Sequence, residues 1–259
     1  MATVSPATGI PRRSGLPNAR GVAPLWRPSP NCGARRGGAR PDMVVLHFTA
    51  MADAASALDR LCDPAAGVSA HYLIASDGQV LQLVDEADRA WHAGAGCWGA
   101  VSDVNSRSIG IELDNPGDRP FPAPLMAALE ALLPGILARW SIRPERVIGH
   151  SDMAPDRKWD PGRRFDWRRL ARQGLAVWPS PGPTVAGAAP AAETAPDEIA
   201  FRNAATAFGY GAGWETAHVL DALRQRFRPW AAGPLAAADM AVIADLARRF
   251  PVDPGSAGA

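Results

Sequence analysis

The stretch Arg146-Val147-Ile148-Gly149-His150-Ser151-Asp152-Met153-Ala154-Pro155-Asp156-Arg157-Lys158-Trp159-Asp160-Pro161-Gly162 decides how this chain is read. It opens on a short apolar run, the pattern of a buried strand, and His150 stands at the end of that run. A turn-rich loop follows and brings carboxylates and a lysine close to the histidine. Lys158 is the one lysine among 27 basic residues. Arginine is bulkier and cannot release its proton, whereas a lysine fills a small pocket as a compact charge. Strand ends of α/β sheets are where ligands and reactive groups collect.

The rest of the chain fits the same reading. Met43-Val44-Val45-Leu46-His47-Phe48 is a second buried-strand pattern, with His47 near its end. Ala55, Leu58, Leu61 and Cys62 fall at helical spacing. Two β-rich runs, Ser69–Ile74 and Val80–Val84, flank Ser76-Asp77-Gly78-Gln79, and Asp-Gly between such runs predicts a hairpin. Ser108–Leu113 alternates, with Ile109, Ile111 and Leu113 on one face and Gly110 and Glu112 on the other. Leu125, Leu129, Leu132, Ile136 and Trp140 predict a long amphipathic helix, bent at Pro134. Asp166–Arg172 predicts a short helix. Strands interleaved with helices make this an α/β domain.

Composition divides the chain into four parts. Residues 1–40 are Pro/Gly/Arg-rich and predict an irregular arm or a wrap over the first domain. Residues 41–179 hold the α/β domain. Residues 180–195 have the Pro/Ala/Gly-rich, aperiodic composition of a flexible linker. In residues 196–259, three apolar sets (Phe201, Ala204, Ala205, Phe208; Val219, Leu220, Leu223, Phe227; Met240, Ile243, Leu246, Phe250) predict a small three-helix domain. At roughly 65 residues such a module is just large enough to fold alone.

Bulk properties exclude several classes. Across 259 residues the net charge is +1, and there is no basic run of the kind that binds nucleic acid or an anionic membrane. No apolar stretch approaches the ~20 residues of a membrane span, so no transmembrane segment is expected. Three cysteines at wide spacing, Cys32, Cys62 and Cys97, do not suggest a disulfide framework. Met1–Arg20 lacks an apolar signal core and Cys32 lacks a lipoprotein context, which predicts a cytoplasmic protein.

His47, Glu112 and His150 each sit near a predicted strand end, and Asp160 follows His150 within one loop. Two imidazoles and a carboxylate make a full protein ligand set for a catalytic zinc. Taken singly, His47 also fits a satisfied core histidine, Asp160 a turn residue ahead of Pro161-Gly162, and Glu112 a surface carboxylate. The combined order is more specific: His-Tyr, Trp-His-Ala-Gly, Ile-Glu-Leu and Gly-His-x-Asp-x-x-Pro-x-Arg-Lys-x-Asp-Pro-Gly all occur within one domain. This pattern resembles the type-2 N-acetylmuramoyl-L-alanine amidases, zinc peptidoglycan amidases of the AmpD/AmiD branch, from about Met43 to Pro179. The C-terminal helices, with Arg226-Phe227-Arg228-Pro229 and Gly233, look like the peptidoglycan-binding domain appended in AmiD-type members.

The resemblance implies a central mixed β-sheet flanked by helices. It also implies hydrolysis of the amide between the lactyl group of N-acetylmuramic acid and L-alanine, in peptidoglycan or muropeptides. Carried over, the zinc ligands are His47, His150 and Asp160, the catalytic carboxylate is Glu112 and the catalytic lysine is Lys158. Glu112 would stay ionised beside the metal and act as general base and then acid. Lys158 would stabilise the developing oxyanion. His71, Tyr72, Trp91 and His92 are expected to contact substrate or to support the ligands, and Asn105 and Arg107 are either binders of substrate carboxylates or, equally, inert surface polar residues. Trp98 and Trp159 are candidates to stack on sugar faces, with core packing the commoner fate of a tryptophan. The alternative is a non-catalytic peptidoglycan-recognition module, in which a ligand or the carboxylate is usually replaced; here all five positions are filled. A monomer is expected. The AmiD-like architecture implies the cell envelope as an alternative to the cytoplasm.

Overall fold

Residues 23–180 and 196–253 are described by the computed structural model. What the sequence leads one to expect of residues 1–22, of the linker from 181 to 195 and of 254–259 lies outside the described residues. Elements run in chain order as β1 (Leu25–Trp26), β2 (Cys32–Gly33), β3 (Met43–Phe48), α1 (Ala54–Cys62), β4 (Tyr72–Ile74), β5 (Val80–Gln82) and β6 (Arg89–Ala90). Then come α2 (Val104–Arg107), β7 (Ser108–Leu113), α3 (Ala123–Trp140), β8 (Val147–Gly149), α4 (His150–Met153) and α5 (Trp167–Ala171). The C-terminal region holds α6 (Glu198–Phe208), α7 (Thr216–Phe227) and α8 (Ala237–Arg249).

Six strands form a mixed sheet in the order β1-β5-β4-β7-β3-β8. Only the β4–β5 hairpin is antiparallel; every other pair is parallel. The hairpin turns at Asp77-Gly78, where Gly78 has φ +91° and a Cβ would lie 2.9 Å from the Pro124 carbonyl oxygen. Only glycine meets both demands. The expected irregular arm does more than wrap the domain: Leu25 and Trp26 add a parallel edge strand beside Leu81 and Gln82. Backbone pairing rather than side-chain periodicity places them, so no apolar pattern announces this strand.

The alternation of β3 and β7 sorts the sheet's two faces. Val44, Leu46, Ile109, Ile111 and Leu113 pack against α3, whose Leu125, Leu129, Leu132, Leu133 and Ile136 are all fully or nearly fully buried there. α3 carries Pro134 within it, as expected. By length and mean hydropathy (18 residues, 1.2) it is the one helix among the described residues long and apolar enough to cross a membrane. Its burial against the sheet accounts for that composition here.

The opposite face carries Met43, Val45 and Ile148, and these join one continuous core with Phe201, Phe208, Val219, Leu223, Ile243 and Leu246 of α6, α7 and α8. The helical region is therefore packed directly onto the sheet, as an extension of its core. At the β4–β5 end of the same face, Ala57 and Leu61 of α1 pack on Leu73, Leu81 and Leu83. Between these two coverings the strand ends bearing His47 and Glu112 face an open cavity.

Candidate metal centre and active site

His47 and Glu112 are register partners on adjacent parallel strands, so both side chains leave the sheet on the same face. Leu46 pairs with Gly149, which sets His150 at the same level on the other side of β3. Gly149 has no room for a side chain, since a Cβ there would lie 2.8 Å from Pro161 Cδ. The Ser151 amide donates to the Asp160 carbonyl at 3.0 Å and brings the far end of the loop back to the histidine. As a result, one atom from each of His47, His150 and Asp160 falls within 4.8 Å of the others. His47 Nδ1 lies 3.0 Å from His150 Nδ1 and 2.9 Å from Asp160 Oδ2, and His150 Nδ1 lies 3.0 Å from the same oxygen. All three residues are buried.

The hydrogen bonds around these atoms fix which nitrogens carry protons. His150 Nε2 is 2.9 Å from the Ala93 carbonyl, an acceptor only, so it is the protonated nitrogen and Nδ1 presents a lone pair. Ser108 Oγ donates to the Val104 carbonyl at 2.6 Å and is left to accept from His92 Nε2 at 3.1 Å. His92 Nδ1 then accepts from His47 Nε2 at 3.0 Å, and His47 Nδ1 is also a lone pair. Both rings are held neutral: burial first, then His150, pulls the His47 pKa down to about 4, and burial followed by His47 pulls His92 well below its ordinary value. Two lone pairs and a carboxylate oxygen thus converge with no proton to share, which is a site that calls for a cation. Two nitrogens and one oxygen are ligand types that zinc accepts.

Glu112 is the second unusual group. Its Oε2 is buried with no hydrogen-bond partner among the described residues. Burial first, and then the Asp160 carboxylate, push its carboxyl well above the ordinary range, opposite in sign to the expected ionised state. The Lys158 charge acts in the other direction on Glu112. Lys158 is half-buried, and its ammonium makes no hydrogen bond or ion pair among the described residues.

The cavity over this cluster measures about 350 Å³ and is lined by His47, Glu112, His150, Lys158 and Asp160 together with Trp91 and His92. That size suits a small ligand or a short segment of a larger one. Trp159 is 63% exposed at its rim, within 6.2 Å of the Phe48 ring. Trp98, the other sugar-stacking candidate, is fully buried between Phe208 and Tyr210 and belongs to the core.

Four expected substrate contacts lie elsewhere. His71 is fully buried; its Nδ1 accepts from the Gly110 amide at 3.0 Å and its Nε2 donates to the Asp88 carbonyl at 3.1 Å. Tyr72 donates its hydroxyl to Glu86 at 2.7 Å, under α3 on the other side of the sheet. Asn105 is buried, and its Oδ1 accepts from the amides of His92 and Ala93, so it shapes the loop behind the cavity. Arg107 is ion-paired with Asp42. Each is occupied by a local partner that sequence spacing does not reveal.

Other cavity residues were not singled out by sequence. Arg157 donates to the Ala93 carbonyl at 2.7 Å and also to Ala95, which ties the Lys158 loop to the Trp91-His92-Ala93-Gly94 segment. Arg60 of α1 and Met51 also line the space. In a chain whose bases are nearly all arginine, neither arginine stands out by type. Gly110 is a clearer signal: a Cβ on it would collide with the His92 ring, so this strand glycine marks a close approach.

Comparison with known proteins bears on this site. Residues 37–163 match the family described as N-acetylmuramoyl-L-alanine amidase. The chain is 36% identical over 214 residues to the N-acetylmuramoyl-L-alanine amidase AmiD of Escherichia coli K12, covering 73% of this chain and 76% of that one. It is 41% identical over 103 residues to the 1,6-anhydro-N-acetylmuramyl-L-alanine amidase AmpD of Haemophilus influenzae, covering 39% of this chain and 56% of that one. Among solved structures, E. coli AmiD in complex with the substrate anhydro-N-acetylmuramic acid-L-Ala-D-gamma-Glu-L-Lys superposes with a TM-score of 0.74 at 33% identity, over 84% of this chain and 92% of that one. AmpDh3 of Pseudomonas aeruginosa in complex with anhydromuramic pentapeptide gives 0.71 at 30%, over 83% and 94%.

Proposed function

The chain belongs to the N-acetylmuramoyl-L-alanine amidase family, and from that premise we propose that it is a zinc-dependent hydrolase of the amide between the lactyl group of N-acetylmuramic acid and L-alanine. Its substrates on this reading are peptidoglycan or muropeptides, which the muropeptide complexes of AmiD and AmpDh3 support. The observation that carries the zinc assignment is the convergence of His47 Nδ1, His150 Nδ1 and Asp160 Oδ2, three acceptors within 3.0 Å of one another. A recognition module without chemistry has no need to keep Glu112 and Lys158 in the same cavity.

Zinc at this position supplies Lewis acidity, which polarises a carbonyl oxygen and lowers the pKa of water toward ~7. The chain's own residues do the rest. Glu112, whose Oε2 has no competing partner, takes the proton of the attacking water and delivers it to the departing amine of L-alanine. Lys158, with its ammonium uncommitted, faces the negative charge that develops on the former carbonyl oxygen, a role typically worth ~3–4 kcal/mol per donor. Trp91, His92 and Trp159 line the cavity and supply the surface against which the muramic acid and peptide would rest.

The test is peptide release from purified muropeptides. Activity should disappear on chelation and return with added zinc. Turnover that persists after complete metal removal contradicts the zinc assignment.

A further inference from the structure

The helical region reaches the turn bearing His150 through a buried carboxylate. Asp152 lies two residues beyond His150, in the short helix α4, and its Oδ2 accepts the Gly149 amide at 2.8 Å. This closes the turn on which His150 stands. Two further donors come from the C-terminal region. Tyr210, just after α6, donates its hydroxyl to Asp152 Oδ1 at 2.8 Å, and Arg226 of α7 donates Nη1 to Oδ2 at 2.8 Å. Arg226 Nη2 also donates to the Val147 carbonyl in β8 at 2.9 Å. The Arg226 and Asp152 side chains are each 1% exposed, and the guanidinium lies 4.2 Å from the Trp167 ring centre and 4.9 Å from that of Phe227.

A simple stitch between two parts of the core does not need this chemistry. A buried ion pair is on average no more stabilising than apolar side chains of the same shape. Here three donors, the Gly149 amide, the Tyr210 hydroxyl and Arg226 Nη1, converge on one carboxylate, and that carboxylate caps the turn bearing a metal ligand. The same turn is held again from its far end, where Met153 accepts the Cys97 amide at 2.9 Å, and Gly99, two residues on, donates to the Gly209 carbonyl at 2.7 Å. We propose that Tyr210 and Arg226 are positioning residues for His150, acting through Asp152, so that the C-terminal helices complete the metal centre. This gives Arg226, in the Arg226-Phe227-Arg228-Pro229 motif read as part of a glycan-binding module, a role inside the amidase site. The inference rests on the zinc assignment above.

The test uses the full chain and three variants: Tyr210→Phe, Arg226→Lys, and Leu246→Ala as a destabilising control in the same helical core. Zinc affinity is measured by competition with a chelating dye, alongside Tm and the ring-nitrogen NMR shifts of His150 in metal-free protein. Tyr210→Phe and Arg226→Lys should weaken zinc binding by about 10-fold or more, the scale of lost outer-shell support. They should also move the His150 shifts, leave those of His71 in place and lower kcat more than they raise KM. Leu246→Ala should lower Tm with zinc affinity unchanged. Unchanged zinc affinity and His150 shifts in Tyr210→Phe, or an equal loss of affinity in Leu246→Ala, overturn the proposal. If Arg226→Lys does not fold, Tyr210→Phe removes a single oxygen and decides alone. A wild-type chain that binds no zinc overturns the metal assignment, while the His150 shifts still report separately on positioning.

Discussion

His47 and Glu112 share one rung of the β3–β7 ladder, so the candidate ligand and the candidate proton carrier stand side by side on one face of the sheet. Their separation is set by strand spacing rather than by loop conformation, which is how a rigid scaffold holds reacting groups in place. Burial first, and then Asp160, raise the Glu112 pKa in the metal-free protein, and a divalent cation nearby acts in the opposite direction, favouring the charged carboxylate. Calorimetry in buffers of different ionisation enthalpy should show fewer protons released on zinc binding by Glu112→Gln than by wild type. The variant should bind zinc and lose about 10²–10⁴-fold in kcat. A rate equal to wild type would remove Glu112 from its role.

His92 is placed by the geometry behind His47, not against an approaching substrate alone. The Ser108–His92–His47 series fixes the His47 tautomer, so His92→Ala should weaken zinc binding by about 10–100-fold. Gly110→Ala should act in the same direction, because its methyl group would displace the His92 ring. Competition titration with a chelator checks both. Wild-type affinity in the two variants would reduce His92 to a cavity wall.

Much of this was legible in sequence where a physical rule ties pattern to position. The apolar run Met43–Leu46 gives a strand buried on both faces, and alternation in Ser108–Leu113 puts Glu112 opposite the α3 core, as observed. Asp77-Gly78 gives the hairpin. Long-range polar pairing was not legible. Tyr72 finds Glu86, Arg107 finds Asp42, and Arg226 finds Asp152 across 74 residues, and none of these pairings leaves a periodic trace. The parallel edge strand at Leu25–Trp26 escaped for the same reason, since it is held by backbone bonds from a Pro-rich segment.

His71 predicts a pH dependence. Burial first, then the neighbouring Arg35, holds its pKa down to about 3, against about 6.5 in an unfolded chain. Between those values the unfolded chain binds a proton that the native chain refuses, so stability falls as pH falls from about 6.5, by about 1.4 kcal/mol per pH unit from this group. His71→Asn offers Oδ1 to the Gly110 amide without titrating. Urea unfolding at pH 7 and pH 5.5 should show a smaller loss for the variant; equal losses would contradict the assignment.

Tyr72→Phe separates fold from groove. The hydroxyl serves Glu86, which also accepts from Arg139 and from the Trp140 indole. Its removal should cost about 1–2 kcal/mol of stability and leave KM for muropeptide unchanged. A raised KM with unchanged stability would instead put Tyr72 against the substrate.

The proposed function stands on His47, His150 and Asp160 holding one catalytic zinc ion. Its most direct test is the metal content of purified protein, measured by plasma mass spectrometry beside muropeptide cleavage. Wild type should carry one zinc per chain, and His150→Ala and Asp160→Ala should lose both the metal and the activity. Full cleavage by a preparation free of metal, or a zinc ion that stays bound after both ligands are replaced, would contradict it.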